Sequence, residues 1–379
     1  MFDFIGLGNG LINVVLLLVI LVGLVLIHEF GHFFVSRRAG VRVHEFGIGF
    51  PPRARVLGSD GETTYTLNWL PIGGFVKLEG EEGESVDPRA FVNQGLAKRL
   101  AILLSGVTMN IVLAFIIFAF IAGFADPIAM ARIGYVTPDS PAAAAGLHGG
   151  NQIDTDAAGN PIYDETGDLI VAIDGQRFPV FDWNSGTSGV PQSAYLRSRA
   201  GQTVVLTIRH NDGTQQDVSV TLRPESEITP TKGALGVQFN ALPTENVQHG
   251  AVDALVIGFR RTVDAATLIL RGLGDLIANI TNPQVSGPVG IVGAIGTVRT
   301  ELPPVFLLWF VGLLSANLAV VNALPFPPLD GGRVAVAIIQ KLTGNRISIA
   351  AERLAYLTGF VLLMALLAWV TFFDIQRLG

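Results

Sequence analysis

The sequence predicts a polytopic α-helical membrane protein with four transmembrane helices, a membrane-associated β-hairpin and an extracytoplasmic α+β domain. Composition is the first reason, because half of the 379 residues are apolar and only 15% are charged. Mean hydropathy is +0.49. A soluble chain carries about a quarter charged residues, so the missing charge indicates segments that lie in lipid. Four long apolar stretches and two loops rich in Lys and Arg are the other two reasons.

The four stretches cover residues 11–35, 100–124, 305–324 and 354–373. Each is close to the roughly 20 apolar residues that a helix needs to cross a bilayer core of about 30 Å. The first stretch does not have the pattern of a cleaved leader, since no basic residue precedes it and no small-residue cleavage pattern follows. It is expected to remain as a transmembrane helix.

Orientation follows from the loops that carry Lys and Arg, which stay in the cytoplasm. The first loop separates the first two spans and the second separates the last two. The amino terminus, residues 125–304 and the carboxyl tail are therefore expected outside. The basic residues that decide this are Arg37, Arg38, Arg42, Arg53, Arg55, Lys77, Lys98, Arg99, Arg333, Lys341, Arg346 and Arg353.

The net charge argues against nucleic acid as a partner, and the cysteine content limits the side chains that could bind a metal. The formal net charge is −6, and no block of Lys and Arg is present, so nucleic acid is not an expected partner. The chain has no cysteine, which leaves His, Asp and Glu as metal ligands.

Outside the spans, residues 55–78 predict a hairpin in the first cytoplasmic loop, either a small cytoplasmic sheet or one that enters the membrane interface. Residues 125–245 predict a β domain, with strands near 133–136, 169–174, 203–210 and 217–223. The polar segment 148–166 is expected to be a surface loop. Residues 246–304 are expected to form an amphipathic helix, near 252–280, and a linker. Residues 1–124 and 305–379 then each contain two transmembrane helices.

The first span ends in the motif His28-Glu29-Phe30-Gly31-His32. Residues four apart lie on one face of a helix, so His28 and His32 can bind one Zn²⁺ at about 2.0 to 2.1 Å. Glu29 then lies beside the ion as a general base. An uncompensated charge inside an apolar helix costs roughly 2.5 to 3.5 kcal/mol, which favours a functional role over a chance pattern.

A second HEFG sequence acts as an internal comparison. It begins at His44, but Ile48 stands where the second histidine would be. The sequence therefore predicts no metal site there, and His44 and Glu45 are expected in a loop.

A catalytic zinc ion needs three protein ligands and one open position. The other histidines at 148, 210 and 249 are expected on the opposite side of the membrane. The segment NALPFPPLDGG, which follows the third span, supplies Asp330 between prolines and two glycines. In this topology Asp330 is the candidate third ligand, although such a segment is more often a helix-ending turn.

Taken together, five segments resemble the site-2 proteases, which are intramembrane zinc metalloproteases. They are HEFGH in the first span, PIGGFVKL in the hairpin, a PDZ-like segment containing SPAAAAGL and GDLIVAIDG, SGPVGI, and NALPFPPLDGG. The resemblance covers nearly the whole chain. It implies that the extracytoplasmic domain is PDZ-like and that the protein lies in the bacterial inner membrane.

The resemblance also implies residue roles. His28, His32 and Asp330 would bind a single catalytic zinc ion, and Glu29 would be the general base. Asn322 and Pro325 would position the substrate, and the hairpin at Gly73, Gly74 and Phe75 would meet it. One departure is that this chain has Gly106-Val107 where family members often have Gly-Pro in the second span.

The expected substrate is the transmembrane segment of a single-pass membrane protein, cut near the cytoplasmic face. An α-helical segment must unwind first, because its carbonyls are already hydrogen-bonded, and a hairpin edge can receive the unwound chain as an added strand. Signalling proteolysis, such as anti-sigma factor cleavage, is the process that this reaction would serve.

Two other functions remain open. A membrane scaffold or chaperone could carry a structural zinc ion, but such sites have four protein ligands. A metal transporter would need a polar path through several spans, whereas the second and fourth have few ionisable residues. The sequence does not indicate an oligomeric state.

Overall fold

The computed structural model describes residues 4–81, 83, 85–155, 159–181, 191–229, 232–241, 244–279, 285–344 and 348–378. Among these residues, four helices are long and apolar enough to cross a membrane, at Asn9–Ala39, Leu96–Phe124, Pro304–Ala323 and Ala350–Arg377. The chain is therefore a polytopic membrane protein with a β domain, as expected. The chain divides into two units, Met1–Ala119 with Gly258–Gly379, and Phe120–Ile257.

The first unit contains most of the helical residues. The α-helices of the described residues are α1 (Phe4–Ala39), α2 (Leu96–Phe124), α3 (Pro141–Ala144), α4 (Pro191–Ser198), α5 (Ala251–Ala278), α6 (Pro288–Glu301), α7 (Pro304–Ala323), α8 (Asp330–Thr343) and α9 (Ile349–Leu378). Leu17 and Leu24 of α1 are buried with Ile295 of α6 and Phe310 of α7. These contacts hold the first and third spans together through the short α6.

The segment expected as a linker after α5 instead contains α6. Asp374, near the end of α9, accepts a hydrogen bond from the backbone N–H of Gly290 at 2.9 Å. A carboxylate stabilises the partial positive charge of a helix N-terminus. A Cβ at Gly287 would lie 2.9 Å from Asp374 Oδ2, so the SGPVG sequence leaves the space that this carboxylate occupies.

Strands β1 (Val43–Ser59) and β2 (Thr64–Leu78) form the predicted hairpin, which begins earlier than expected. The expectation that His44 and Glu45 lie in a loop is wrong, because both are in β1. His44 bonds Glu79, while Glu45 bonds Arg53 and Thr66. These side-chain hydrogen bonds and the pairing with β2 hold residues 44 and 45 in a strand, although the sequence there does not alternate clearly between apolar and polar residues.

Each long strand bends and contributes two segments to one small sheet. Residues 43–48 pair with 74–78 on one side and with 64–67 on the other, and 53–59 pair with 64–68. Among the described residues, segment 74–78 thus has one strand neighbour and forms an edge of the sheet. At the turn, the Thr63 backbone N–H and the Arg37 guanidinium hold the pKa of Asp60 well below its usual range.

The second unit is a β domain. Its main sheet has the order β10-β9-β7-β4-β11, formed by β4 (Ala131–Val136), β7 (Leu169–Ile173), β9 (Thr203–Arg209), β10 (Gln215–Thr221) and β11 (Val237–Ala241). Smaller sheets contain β3 (Asp126–Ala129), β8 (Phe178–Pro179) and β12 (Thr244–Val247), and then β5 (Gln152–Thr155) with β6 (Pro161–Tyr163). Alternate residues of β9 are buried, as a sheet with one covered face requires.

Segment 148–166 is not only a surface loop, since β5 and β6 pair within it. Its centre, residues 156–158, lies outside the described part of the chain. The predicted helix near 252–280 is confirmed as α5, with residue 280 outside the described part.

Candidate metal centre

Helix α1 places three polar side chains of the HEFGH motif at its carboxyl-terminal end. His28 and His32 lie one turn apart, with ring centroids 4.8 Å apart and ring planes at 76°. Their Nε2 atoms are 3.2 Å apart. The fourfold spacing of the motif thus brings two ring nitrogens toward one point.

Asp330 completes the group from the start of α8. Its Oδ2 lies 2.9 Å from His28 Nε2 and 3.3 Å from His32 Nε2. The turn between α7 and α8 is tight, because a Cβ at Gly331 would lie 2.2 Å from the Ala323 carbonyl oxygen. The glycines after Asp330 therefore allow the chain to fold back and direct the carboxylate toward α1.

The donor set fits a zinc ion. Two ligand atoms of a tetrahedral zinc ion, with bonds of about 2.0 to 2.1 Å, lie roughly 3.3 Å apart. The three measured separations are between 2.9 and 3.3 Å. Within the described chain the group contains three side chains, which leaves one position of a tetrahedron for water or substrate.

Backbone and amide groups orient the two imidazoles. His32 Nδ1 lies 2.8 Å from the Ile102 carbonyl oxygen and donates to it, so Nε2 carries the lone pair. His28 Nδ1 lies 3.3 Å from the side-chain amide of Asn110, which is fully buried. Exchanging the amide oxygen and nitrogen of Asn110 would let its oxygen accept from Nδ1–H. Such second partners fix the tautomer of metal-binding histidines.

Helix α2 approaches these imidazoles so closely that only glycine fits at position 106. A Cβ at Gly106 would lie 2.5 Å from His32 Nε2 and 2.6 Å from His28 Nε2. On the facing side, Gly31 of α1 directly precedes His32, and a Cβ at Gly31 would lie 2.6 Å from the Ser105 carbonyl oxygen of α2. The two helices therefore pack with backbone contact next to the histidine Nε2 atoms, as small residues permit in membrane proteins.

A cavity of about 810 Å³ opens beside this group. Its lining includes Glu29, His32 and Asp330 together with every residue of segment 74–78. A Cβ at Gly74 would lie 2.9 Å from Leu26 Cδ2 and 3.8 Å from Glu29 Cγ. Gly74 thus lets the edge of the sheet lie against α1 beside Glu29.

Comparison with known proteins decides the family. The profile of Peptidase family M50 matches residues 16–366. The chain belongs to Peptidase family M50. It is a zinc-dependent intramembrane protease of the site-2 type.

Individual relatives agree with this membership over nearly their whole length. A Clostridium acetobutylicum protein, whose name assigns it provisionally to the zinc metalloproteases, is 31% identical over 96% of this chain and 97% of its own. Regulator of sigma-E protease RseP of Escherichia coli (strain K12) is 28% identical over 94% and 96%. Zinc metalloprotease RasP of Oceanobacillus iheyensis is 27% identical over 94% and 96%.

The other residues predicted from the sequence of this M50 protease each have their own local surroundings. Phe75 lines the cavity and its ring stacks on Phe50 with centroids 6.4 Å apart. Gly73 has φ of +76°, and a Cβ there would lie 3.3 Å from the Phe50 ring. Asn322 donates to the Leu318 carbonyl oxygen of its own helix at 3.0 Å, and Pro325 is exposed.

Gly106 and Asn110 are parts of the site that were not predicted from the sequence. Both lie in the segment GVTMN of the second span, where this chain lacks the proline that family members often have. Their spacing of four residues puts them on one face of α2. A glycine and an asparagine on one face of the second span, considered together with the HEFGH motif of the first span, are the sequence pattern that could have identified these two residues.

Proposed function

We propose that His28, His32 and Asp330 bind the catalytic zinc ion of this protease and that Glu29 is its general base. Zinc, when bound, supplies the Lewis acidity that makes water a nucleophile near neutral pH. Glu29 accepts the proton of the attacking water and returns it to the leaving amine. Asn110 and the Ile102 carbonyl hold the two imidazoles in the orientation that exposes Nε2.

The substrate that the site fits best is an unwound transmembrane segment of a single-pass membrane protein. The supporting observation is that edge segment 74–78 lines the same cavity as Glu29 and Asp330. An extended chain added to this edge would regain the backbone hydrogen bonds lost on unwinding. Its scissile carbonyl would then lie beside the carboxylate of Glu29.

The hairpin is suited to the membrane interface. Its large exposed apolar side chains, among the described residues, are Phe50, Val56, Leu57, Leu67, Trp69 and Leu70. Exposed apolar patches of this kind mark membrane or partner contacts, and tryptophan is enriched at the interface. A substrate leaving the bilayer sideways would meet this surface before reaching the zinc ligands.

We place the protein in the bacterial inner membrane with the zinc ligands near the cytoplasmic face. The Lys and Arg residues of the two loops support this orientation. The β domain would then be extracytoplasmic, and its α3, which is capped by Ser140, and β7 correspond to the PDZ-like sequence. The name of the Escherichia coli relative, regulator of sigma-E protease, supports a signalling role such as the anti-sigma factor cleavage expected from the resemblance.

Asn322 and Pro325 retain a proposed part in holding the substrate. Asn322 is the penultimate residue of α7 and stands eight residues before Asp330 in the chain. Gly73 gives the strand its bend immediately before Gly74 and Phe75. The proposal for these three residues is secondary to that for the zinc ligands.

Replacing Glu29 with glutamine separates metal binding from catalysis. The variant is expected to retain zinc and to cleave a model single-pass substrate about 10² to 10⁴ times more slowly, the usual contribution of a general base. Zinc content and cleavage are measured on the same full-length preparation. Retained cleavage would refute the assignment of the base.

Two further sets of variants complete the test. His28→Ala and Asp330→Ala are expected to lose zinc and activity together. Glu62→Gln, at the hairpin turn, is the control because its carboxylate is bound by Arg89 and lies outside the described lining of the cavity. It is expected to cleave at close to the wild-type rate.

A further inference from the structure

A second group of metal-binding side chains lies in the β domain, outside the protease site. His148 follows α3, Asp168 directly precedes β7, and His210 directly follows β9. Strands β7 and β9 are neighbours, with Leu169 opposite Arg209. The register therefore brings Asp168 and His210 to the same end of adjacent strands.

The three side chains converge to metal-binding distance. His210 Nδ1 lies 2.6 Å from Asp168 Oδ1, and His148 Nδ1 lies 3.5 Å from Asp168 Oδ2. One ligand atom from each residue lies within 4.8 Å of the other two. These separations bracket the roughly 3.3 Å between two ligands of a tetrahedral zinc ion.

The carboxylate of Asp168 is buried, and a buried negative charge is stabilised by a positive charge beside it. The Asp168 side chain is 4% exposed, and a buried carboxylate is costly unless it is paired. In the described part of the chain, both ion pairs of Asp168 are with imidazoles. A divalent cation bound by these three side chains would compensate the charge of the buried carboxylate.

The backbone holds the carboxylate in place. Asp168 Oδ2 accepts from the His148 backbone N–H at 2.8 Å, and the Asp168 N–H donates to the His148 carbonyl oxygen at 3.0 Å. His148 itself has a side chain that is 77% exposed. The group thus combines a carboxylate held by backbone hydrogen bonds with an imidazole that is exposed to solvent.

We propose that His148, Asp168 and His210 form a second site for a divalent transition-metal ion, separate from the catalytic one. Two imidazole nitrogens and one carboxylate oxygen are donors that suit Zn²⁺ and its first-row neighbours. The bound ion would join the start of segment 148–166 to the ends of β7 and β9. It would stabilise the β domain without entering the protease reaction.

The chain contains a matched control for this site. His249 Nε2 lies 3.0 Å from Asp126 Oδ2, and the side chain of His249 is 26% exposed, as is that of His210. This second pair of histidine and buried aspartate belongs to the same unit. No second imidazole or further carboxylate completes a group there among the described residues.

The test is zinc stoichiometry of the full-length protein in detergent, stripped with a chelator and reloaded with Zn²⁺. We expect two ions per chain in the wild type and in His249→Ala. We expect one in His148→Ala with His210→Ala, and one in His28→Ala. Because His148 is exposed, the single His148→Ala variant keeps the test valid if the double variant misfolds.

A second readout is thermal stability. Zinc should raise the melting temperature of His28→Ala, in which the catalytic site is disabled, and should not raise it when His148→Ala and His210→Ala are added. Zinc content that falls to zero in His28→Ala would overturn the proposal, because no ion would then be held by His148, Asp168 and His210. A second ion that persists without His148 and His210 would overturn it equally, whatever the outcome for the catalytic ligands.

Discussion

Replacing Gly106 with alanine is expected to weaken zinc binding and proteolysis while α2 stays helical. The added Cβ would lie 2.5 and 2.6 Å from the Nε2 atoms of His32 and His28. This is about 0.9 Å short of the 3.4 Å at which ordinary contact begins. The imidazoles must therefore rotate away from Asp330 or the two helices must separate.

Overpacking of this kind costs about 1 to 3 kcal/mol. Since every 1.4 kcal/mol corresponds to a factor of ten, zinc affinity should fall by roughly 5- to 150-fold. The helix itself does not oppose the change, because alanine is favoured over glycine in a helix by about 1 kcal/mol. The loss should thus appear in metal affinity rather than in helix content.

The assay is competition for zinc with a chromogenic chelator, with cleavage of a model substrate measured in parallel. Gly23→Ala is the control, because it also lies in a span and a Cβ there would meet nothing within 4 Å. Circular dichroism checks that both variants remain helical. Wild-type affinity in Gly106→Ala would show that α2 does not restrict the site and would refute the reasoning.

Two further predictions concern polar contacts inside the helical unit. Asn110→Ala should lower zinc affinity about 10- to 100-fold, the usual effect of losing a partner of a metal-binding histidine; equilibrium zinc competition measures it. Asp374→Ala removes the hydrogen bond to Gly290 and should destabilise the protein by roughly 1 to 2 kcal/mol; thermal unfolding in detergent measures it.

Each of these variants has a control in its own helix. Thr108 of α2 and Thr371 of α9 donate to backbone carbonyls within their helices, so their alanine variants should leave affinity and stability nearly unchanged. Asn110→Ala with unchanged affinity would remove Asn110 from the site. Asp374→Ala with unchanged melting would mean that α6 docks without its carboxylate partner.

Much of the fold could be predicted because its signals are local. A run of about 20 apolar residues predicts a span wherever it occurs, and the alternation near residues 203–210 predicts a strand. The hairpin was harder, since each of its strands bends and pairs twice. Helix α6 was missed because its sequence is rich in glycine and its N-terminus is stabilised by Asp374, which is distant in the chain.

The amino-acid sequence by itself determined the spans and the pairing of His28 with His32, because helical periodicity places residues four apart on one face. It also made Asp330, at the end of the third span, a candidate third ligand. Tertiary structure alone decided that Asp330 reaches both imidazoles, that Gly106 leaves space for them and that Asn110 bonds one of them. Contacts between distant segments depend on how the helices pack, and no local pattern encodes that distance.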